Sequence, residues 1–382
     1  MTSSNTFRLL HLADLHLGAA CAFLKDKAGE RAKDFERAFE RAMAFAREPE
    51  NDIKLVVIAG DLFDSHRPEA RLVQLVKRGF ATLSAAGVHV VVVPGTHDTA
   101  SYTNSVYRTE DFGDALITLD TSEEPFALEV DGQPIFIYTV VRGPTCRTVP
   151  IDKLTRTAQD GIHIGVLHAA IQPESGIEFA DSELVVTLPA LAGTQLDYIA
   201  LGHYHDFNQY SANGVTAVYP GTLEGRSFDE TGERYLVTTT FTSHGPVVEK
   251  TPFNARTVRQ ETIDLDTTPC SDQAELCDRI GQMADDDTIL RLTITGNAEF
   301  SLDTAVARAM LSDRFFYLEL IDETRLYNAR WVEQFKSEPT VRGVFVRKMS
   351  EKIGRAGSER ERKKFDVALK YGLMELAGND AD

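Results

Sequence analysis

Gly60-Asp61-Leu62-Phe63-Asp64 directly follows Ile53-Lys54-Leu55-Val56-Val57-Ile58-Ala59, and the reading of this junction decides the fold. The apolar, partly β-branched run reads as a strand buried on both faces, the kind found in parallel sheets. A strand that breaks at Gly-Asp presents a carboxylate at the carboxyl edge of its sheet, where open α/β folds place their ligands. An ionised Asp61 accepts only, through two oxygens, and one such carboxylate can bridge two cations ~3.5–4 Å apart. Capping of the next helix explains a single Asp after a strand equally well. The other strand ends separate the two readings.

Residues 7–13 read as a first strand that ends in Asp14-Leu15-His16, and the i,i+2 spacing puts both side chains on one face of an extended segment. One hard oxygen beside one imidazole nitrogen suits Mn, Fe or Zn, whereas Ca and Mg prefer all-oxygen shells. Helices are predicted over 30–47 and 70–86, the second closed by Gly87. The run 88–93 leads into Pro94-Gly95-Thr96-His97-Asp98. Strands at 126–130 and 134–141 flank Asp131-Gly132, a hairpin signal, so pairing turns antiparallel there. Strand 162–167 ends in His168, strand 196–201 ends in Gly202-His203-Tyr204-His205, and 235–241 with 247–251 reads as a closing hairpin. Five strand ends therefore carry ligand-type side chains. Strand ends share one edge of a sheet, so these residues converge without being neighbours in sequence, which points to a metal centre. His11, His66, His89, His163 and His244 lack that context and read as ordinary core or surface histidines.

The length suits one large domain with a smaller one, or two to three domains. The net charge of -18 argues against non-specific nucleic-acid binding through a basic face. Two features qualify it. Acidic metal ligands count as negative although cations neutralise them. The charge is also uneven: nine basic residues from Arg342 to Lys364 face only Glu351, Glu359 and Glu361. A solvated helix face with i,i+4 pairs accounts for that run. Cys21, Cys146, Cys270 and Cys277 form no CxxC pair and no zinc-like spacing, which predicts reduced thiols in a cytoplasmic protein. The first six residues have no signal-peptide pattern, and no apolar run approaches membrane-spanning length, so no membrane contact is expected.

Beyond Arg256 the rhythm changes. Strands at 260–266, 288–295 and 316–321 alternate with helices at 272–283 and 302–311, and their ends are read as free of His and paired carboxylates. This order predicts a separate α+β cap over 256–326, after a first domain at 1–255 and before a charged helical tail at 327–382. In the tail, Phe365, Val367, Ala368, Tyr371, Gly372, Met374 and Leu376 outline an apolar face that either docks a partner or packs on the chain's own cap.

The strand-end residues resemble the calcineurin-like metallophosphoesterases. The family pattern of D-x-H, GD-x-x-D, GNH-D/E, H and G-H-x-H stands here as Asp14-Leu15-His16, Gly60-Asp61-Leu62-Phe63-Asp64, Gly95-Thr96-His97-Asp98, His168 and Gly202-His203-Tyr204-His205, over residues 7 to about 240. Ala13-Asp14-Leu15-His16-Leu17-Gly18, Asp61-Leu62-Phe63-Asp64-Ser65-His66-Arg67-Pro68 and Tyr219-Pro220-Gly221-Thr222 look like the Mre11/SbcD group of DNA repair nucleases. Gly225-Arg226-Ser227-Phe228 with Glu230-Thr231-Gly232-Glu233 is similar to its bacterial YhaO-type branch.

The resemblance, with the two β-α-β halves, implies an α/β fold: a four-layer α/β/β/α core of two mixed sheets flanked by helices. It also implies two divalent ions, Mn by the family expectation, while the His-rich shell would also suit Fe or Zn. One would take Asp14, His16, Asp61 and His205; the other Asp61, Thr96, His168 and His203. His97 would orient the phosphate or protonate the leaving oxygen, while Asp64 and Asp98 hold the liganding groups in place. Thr96 stands where the family usually has Asn, so a weaker second cation is expected. The implied function is a DNA nuclease that hydrolyses phosphodiesters in double-strand-break repair. DNA, an SMC/Rad50-like ATPase docked through the C-terminal helices, and a second copy of the chain would be its partners. Two other readings stay open: a phosphoesterase for small nucleotides or phosphoproteins, which the net charge favours, and a DNA-end-binding scaffold with a weakened second site, which rests on Thr96.

Overall fold

A computed structural model describes residues 7–143, 148–157, 159–172, 183–298, 300, 302–325 and 329–377. Cys146 lies outside them; Cys21, Cys270 and Cys277 are buried free thiols. The chain forms two compact units, Met1–Arg256 and Thr257–Asp382.

The first unit opens with β1 (Phe7–Leu12), α1 (Ala28–Arg47), β2 (Leu55–Ala59), α2 (Ala70–Ala85), β3 (His89–Val93), α3 (Val106–Thr109) and β4 (Leu116–Ile117). Next come β5 (Phe126–Val130), β6 (Gln133–Val140), β7 (Ile162–His168), the short β8 (Ala170–Ile171) and β9 (Val185–Val186), α4 (Leu188–Ala192), β10 (Tyr198–Gly202), β11 (Asn208–Ala212) and β12 (Val215–Tyr219). β13 (Tyr235–Thr242) and β14 (Gly245–Pro252) finish the unit. Two six-stranded sheets result, in the orders β14-β13-β1-β2-β3-β4 and β11-β12-β10-β7-β6-β5. Both are mixed. β1 to β4 run parallel and β13 joins them antiparallel; β6, β7, β10 and β12 run parallel, with β5 and β11 antiparallel at the edges. The antiparallel pair at Asp131-Gly132 does not extend the first sheet, as its place in the sequence suggests. It starts the second.

Alternation along each strand sorts the side chains into layers. Leu10, Leu12, Val56 and Ile58 turn to Phe35, Phe39, Val76 and Phe80 of α1 and α2. Leu9, Leu55, Val57 and Val91 turn the other way and meet Ile135, Ile164, Val166, Tyr198 and Ala200 of the second sheet. The outer face of that sheet packs Tyr138, Leu167, Ile199 and Leu201 against Leu154 and Leu191. The α/β/β/α order is therefore present, with a thin fourth layer: α4 has five residues, against 20 in α1. The two sheets approach closely at their carboxyl ends. A Cβ on Gly202 would overlap the Ala59 carbonyl oxygen, and one on Gly60 (φ 92°) would overlap the His168 ring, so only glycine fits at either crossing.

The second unit holds β15 (Thr257–Asp264), α5 (Gln273–Gly281), β16 (Asp285–Thr295), α6 (Thr304–Leu311) and β17 (Phe315–Asp322), a three-stranded sheet parallel throughout. Its strand ends do carry acids, contrary to the sequence reading: Asp264 ends β15 and Asp266 comes two residues later, and Asp322 ends β17 with Glu323 next. Three helices follow: α7 (Ala329–Ser337), α8 (Val341–Arg355) and α9 (Glu359–Ala377). Leu369 and Leu373 of α9 are buried with Val346 and Met349 of α8, and Phe365 packs beside them. The buried stripe thus runs at i, i+4, i+8 from Phe365. Val367 and Tyr371, placed on the apolar face by the sequence reading, are exposed, and the Met374 side chain lies outside the described residues. Part of the basic run is paired within this unit, Arg342 with Glu338, Arg355 with Glu351 and Lys363 with Glu323.

Candidate metal centre

Strand ends β1, β2, β3, β7 and β10 deliver the expected residues to one place, and the backbone bends sharply to do it. Asp14 (φ 52°), His16 (φ 44°), Asp61 (φ 50°) and His203 (φ 112°) all have positive φ. For residues other than glycine that conformation is uncommon and costs energy. Here it turns each chain back just past the sheet edge. Asp14 N bonds the Gly60 carbonyl at 3.0 Å and His16 N the Asp61 carbonyl at 2.9 Å, so the two loops brace each other.

Three histidines share one arrangement. His16 Nδ1 bonds Asp64 Oδ1 at 3.1 Å, His205 Nδ1 bonds Glu230 Oε1 at 2.8 Å, and His168 Nδ1 bonds the Ala59 carbonyl at 3.0 Å. An oxygen on each Nδ1 places the proton there and leaves the Nε2 lone pair for a cation, the outer-shell device of metal sites. The Nε2 atoms face shared carboxylates. Asp61 Oδ2 is 3.8 Å from His16 Nε2 and 3.5 Å from His168 Nε2, so one oxygen looks at a nitrogen from each expected set. Ligand atoms of Asp14, His16 and His205 lie within 4.8 Å of one another, as do those of Asp14, Asp61 and His168.

The donors fit divalent cations. His168 Nε2 is buried with no hydrogen-bond partner. Asp14 and Asp61 are 0% and 3% exposed, and among the described residues neither is paired with Lys or Arg. Uncompensated buried carboxylates are costly, and the protonation of Asp14 shows it. Burial pushes Asp14 up to about 6. Burial also opposes Asp61's charge, but His168 and His97 outweigh it and hold that group below its usual range. Burial lowers His16 to about 4, which keeps its ring neutral. Mixed O/N donors of this kind suit Mn, Fe and Zn.

The remaining expected residues occupy distinct places. Thr96 Oγ1 donates to Asp61 Oδ2 at 3.3 Å, and His97 N donates to Asp61 Oδ1 at 2.8 Å. The His203 ring lies 5.3 Å from that of His168, and its Nε2 is 3.8 Å from Glu183 Oε1. His203 N also donates to Asp14 at 3.0 Å. The His97 side chain is 41% exposed, with Nδ1 3.4 Å from Asp64 Oδ1. The Asp64 hydrogen bond raises His97 to about 9 against the opposing effect of burial, so the ring is protonated at neutral pH. Asp64 also meets Arg226; His16, His97 and Arg226 together overcome its burial and hold it well below the ordinary carboxylate range. Asp98 stands apart from the cluster. It accepts from Gly95 N, Phe63 N and Tyr107 Oη at 2.7, 3.2 and 2.6 Å and so ties the β2 and β3 loops together.

Glu230, Arg226, Tyr107 and Glu183 are the contacts that the sequence reading gives no role. Arg226 and Glu230 lie in a stretch quoted only for its likeness to one branch, and their partners His16 and His205 are 210 and 25 residues away. The Arg-x3-Glu spacing was the available signal, and it is too common to stand alone.

Comparison with known proteins agrees with the geometry. "Uncharacterized metallophosphoesterase YhaO" of Bacillus subtilis is 27% identical over 233 residues, 60% of this chain and 56% of that protein. "DNA double-strand break repair protein Mre11" of Methanopyrus kandleri is 28% identical over 236 residues, 58% of this chain and 50% of that protein. The chain thus matches about half the length of these relatives. Among solved structures, a dimetal phosphatase from Danio rerio aligns at 14% identity with a TM-score of 0.38, over 64% of this chain and 96% of that one. The family model for the calcineurin-like phosphoesterases matches residues 7–207, more than half of the chain, and the chain belongs to that family.

Proposed function

We propose that this protein is a metal-dependent DNA nuclease that hydrolyses phosphodiester bonds in double-strand-break repair, working with two Mn ions. The observation that carries the reading is the double cradle, in which Asp61 Oδ2 faces His16 and His168 and Asp14 is shared by both clusters. The name of the Mre11 relative points the phosphoester chemistry of the family toward DNA. Asp14, His16, Asp61 and His205 would hold one cation; Asp61, Thr96, His168 and His203 would hold the other. Bound there, the pair would polarise a phosphoryl oxygen and activate water at neutral pH.

The chain's own groups do the rest. His97, half exposed and protonated, reaches the solvent side of the cluster and hands a proton to the leaving oxygen. Asp64 keeps it charged and also holds the His16 ring. Asp98 fixes the loop that carries His97. Residues 1–255 would be the nuclease domain, 256–326 a cap and 327–382 a helical tail that docks an SMC/Rad50-like ATPase, in a cytoplasmic protein that also pairs with a second copy. No helix among the described residues is long and apolar enough to cross a membrane.

The test is release of nucleotides from a linear duplex by the full chain in Mn, against chromogenic phosphodiester and phosphomonoester substrates, with Asp61→Asn as control. Duplex cleavage lost in the control supports the reading. Turnover of the small esters alone would favour the small-substrate phosphoesterase.

A further inference from the structure

Arg226 is the one arginine or lysine among the described residues that touches the metal cluster. Its Nη1 is 2.9 Å from His16 Nε2 and its Nη2 is 2.9 Å from Asp64 Oδ1. Its Nε is buried and has no hydrogen-bond partner among the described residues. The root of this arm is fixed. Arg226 N donates to Glu230 Oε2 at 2.9 Å, and the other oxygen of Glu230 holds His205. One residue earlier, the Gly225 carbonyl accepts from Arg31 Nη2 at 2.9 Å. Before that, Glu224 bonds Arg31 Nη1 at 2.7 Å and Ala255 N at 2.6 Å. Arg31 is wholly buried on α1 and also pairs with Asp34. A buried ion network therefore anchors the loop, and only the guanidinium reaches the site.

We infer that Arg226 is a phosphate-binding arm, which rests on His16 and Asp64 and turns its guanidinium to the oxygens of a phosphoester held at the strand-end edge. The His16 nitrogen that Nη1 touches is the one turned toward Asp61 and His205. A cation that takes this lone pair removes the acceptor from Nη1 and repels the guanidinium. The arm then has Asp64 as a pivot for Nη2 and one donor, Nη1, freed of its acceptor on the same guanidinium edge. A phosphate oxygen satisfies Nη1, and a guanidinium suits such charge-assisted recognition of phosphate. Asp64 offsets part of the repulsion between this positive arm and two cations, and an anion between them offsets more, so the arrangement favours a phosphate-bearing ligand over a neutral one. A purely structural role, neutralising Asp64, accounts for Nη2 but leaves the contact of Nη1 to His16 without purpose.

The test uses the full chain loaded with Mn, and titrates inorganic phosphate by calorimetry into the parent, Arg226→Gln and Arg226→Lys. Metal stoichiometry should hold in all three, with metal affinity equal to the parent or tighter. Phosphate affinity should fall about 10- to 100-fold in Arg226→Gln, the range of a charge-assisted hydrogen bond. It should fall by less in Arg226→Lys, which keeps the charge against Asp64 and loses the fork. Unchanged phosphate affinity overturns the inference. So does loss of metal in both variants, which would make Arg226 a brace for His16. If Arg226→Gln does not fold, Arg226→Lys decides alone, since phosphate affinity equal to the parent's overturns the inference. Inorganic phosphate carries no nucleoside, so the outcome is independent of whether DNA is the substrate.

Discussion

Both units contain parallel strands joined by crossover helices, and both place carboxylates at strand ends, yet among the described residues only the first gathers a cluster of metal-type ligands. In the second unit Asp264 and Asp322 serve their own loops. Asp264 Oδ1 accepts from Asp266 N at 3.0 Å, and Asp322 Oδ1 accepts from Thr324 N at 2.8 Å, two residues along in each case. Asp266 ties down Asn297, and Glu323 pairs with Lys363. In the first unit, Asp61 accepts from His97 N, 36 residues away, and Asp14 from His203 N, 189 residues away. A carboxylate bonded to its own turn has a local duty already met. One that is turned by positive φ toward a second sheet, and meets imidazole lone pairs there, is left to bind a cation. Strand-end position is common to both; what separates them is the positive φ that turns Asp14 and Asp61 toward imidazole nitrogens.

The comparison breaks most directly at Asp61. Asp61→Asn should abolish metal-dependent activity, beyond the ~10–100-fold typical of groups that only orient a ligand. It should also abolish the rise in melting temperature that Mn gives the parent by binding the native state. Asp322→Asn, the matched change in the second unit, should leave metal content and turnover unaltered and cost about 1 kcal/mol of stability, as for an ordinary hydrogen bond. Calorimetric metal counts and thermal melts on both variants decide it. A metal defect in Asp322→Asn would remove the distinction.

His97 comes next. His97→Ala should retain two cations while kcat falls ~10²–10⁴-fold, the usual loss for an acid-base group. Asp64 raises the ring's pKa from 6.5 to about 9, so the imidazolium is favoured in the fold. Its contribution to stability is therefore complete below pH 6.5 and lost as pH rises through about 9. Turnover in the parent should decline over the same alkaline limb, and His97→Ala should lack that limb. Metal lost on this substitution would instead make His97 a ligand.

What could be read in the chain follows the same division between local and distant. Strand ends announce themselves, because an apolar run cut by Gly-Asp or by His is a local pattern, and the topology of parallel strands does the converging. Glu230 and Arg226 carry no such mark: their loop has no periodicity, and their duties depend on contacts that only the fold creates. The tail shows a different failure. Residues 365–376 offer several apolar spacings, and packing against α8 selects Phe365, Leu369 and Leu373, leaving Val367 and Tyr371 outside. Asn213-Gly214, with φ of 52° and 84°, makes the β11–β12 turn by the same chemistry as Asp131-Gly132, a signal present in the sequence but masked by the short, polar β11.

Glu230 sharpens the comparison at the level of a single imidazole. Glu230→Gln removes the charge that holds His205 Nδ1 while keeping an oxygen for Arg226 N. Affinity for the cation at His205 should fall ~10–100-fold, and turnover should recover at high Mn. An unchanged binding isotherm would show that the Glu230 carboxylate only shapes its own loop, as Asp264 does in the second unit.

The smallest effect is expected at Thr96, where the reach of Asp61 is partly taken up by a neighbour. The Thr96 hydroxyl donates to Asp61 Oδ2, the oxygen that also faces His16 and His168. That hydrogen bond draws electron density from the oxygen that a cation needs, and a hydroxyl is a poorer ligand than an amide carbonyl. Thr96→Asn brings both groups: an amide N–H that can still donate to Asp61, and a carbonyl oxygen that can bind the second cation. The expected result is a Mn midpoint several-fold lower in Thr96→Asn, with little change in maximal rate, because saturating metal fills both sites in the parent as well. A Mn titration of phosphodiester turnover, with calorimetry to count cations, measures it. Identical midpoints with two tight cations in the parent would show that Thr96 already serves as an adequate ligand. One cation in both proteins would remove the two-metal proposal and leave a single cradle around Asp14, His16 and His205.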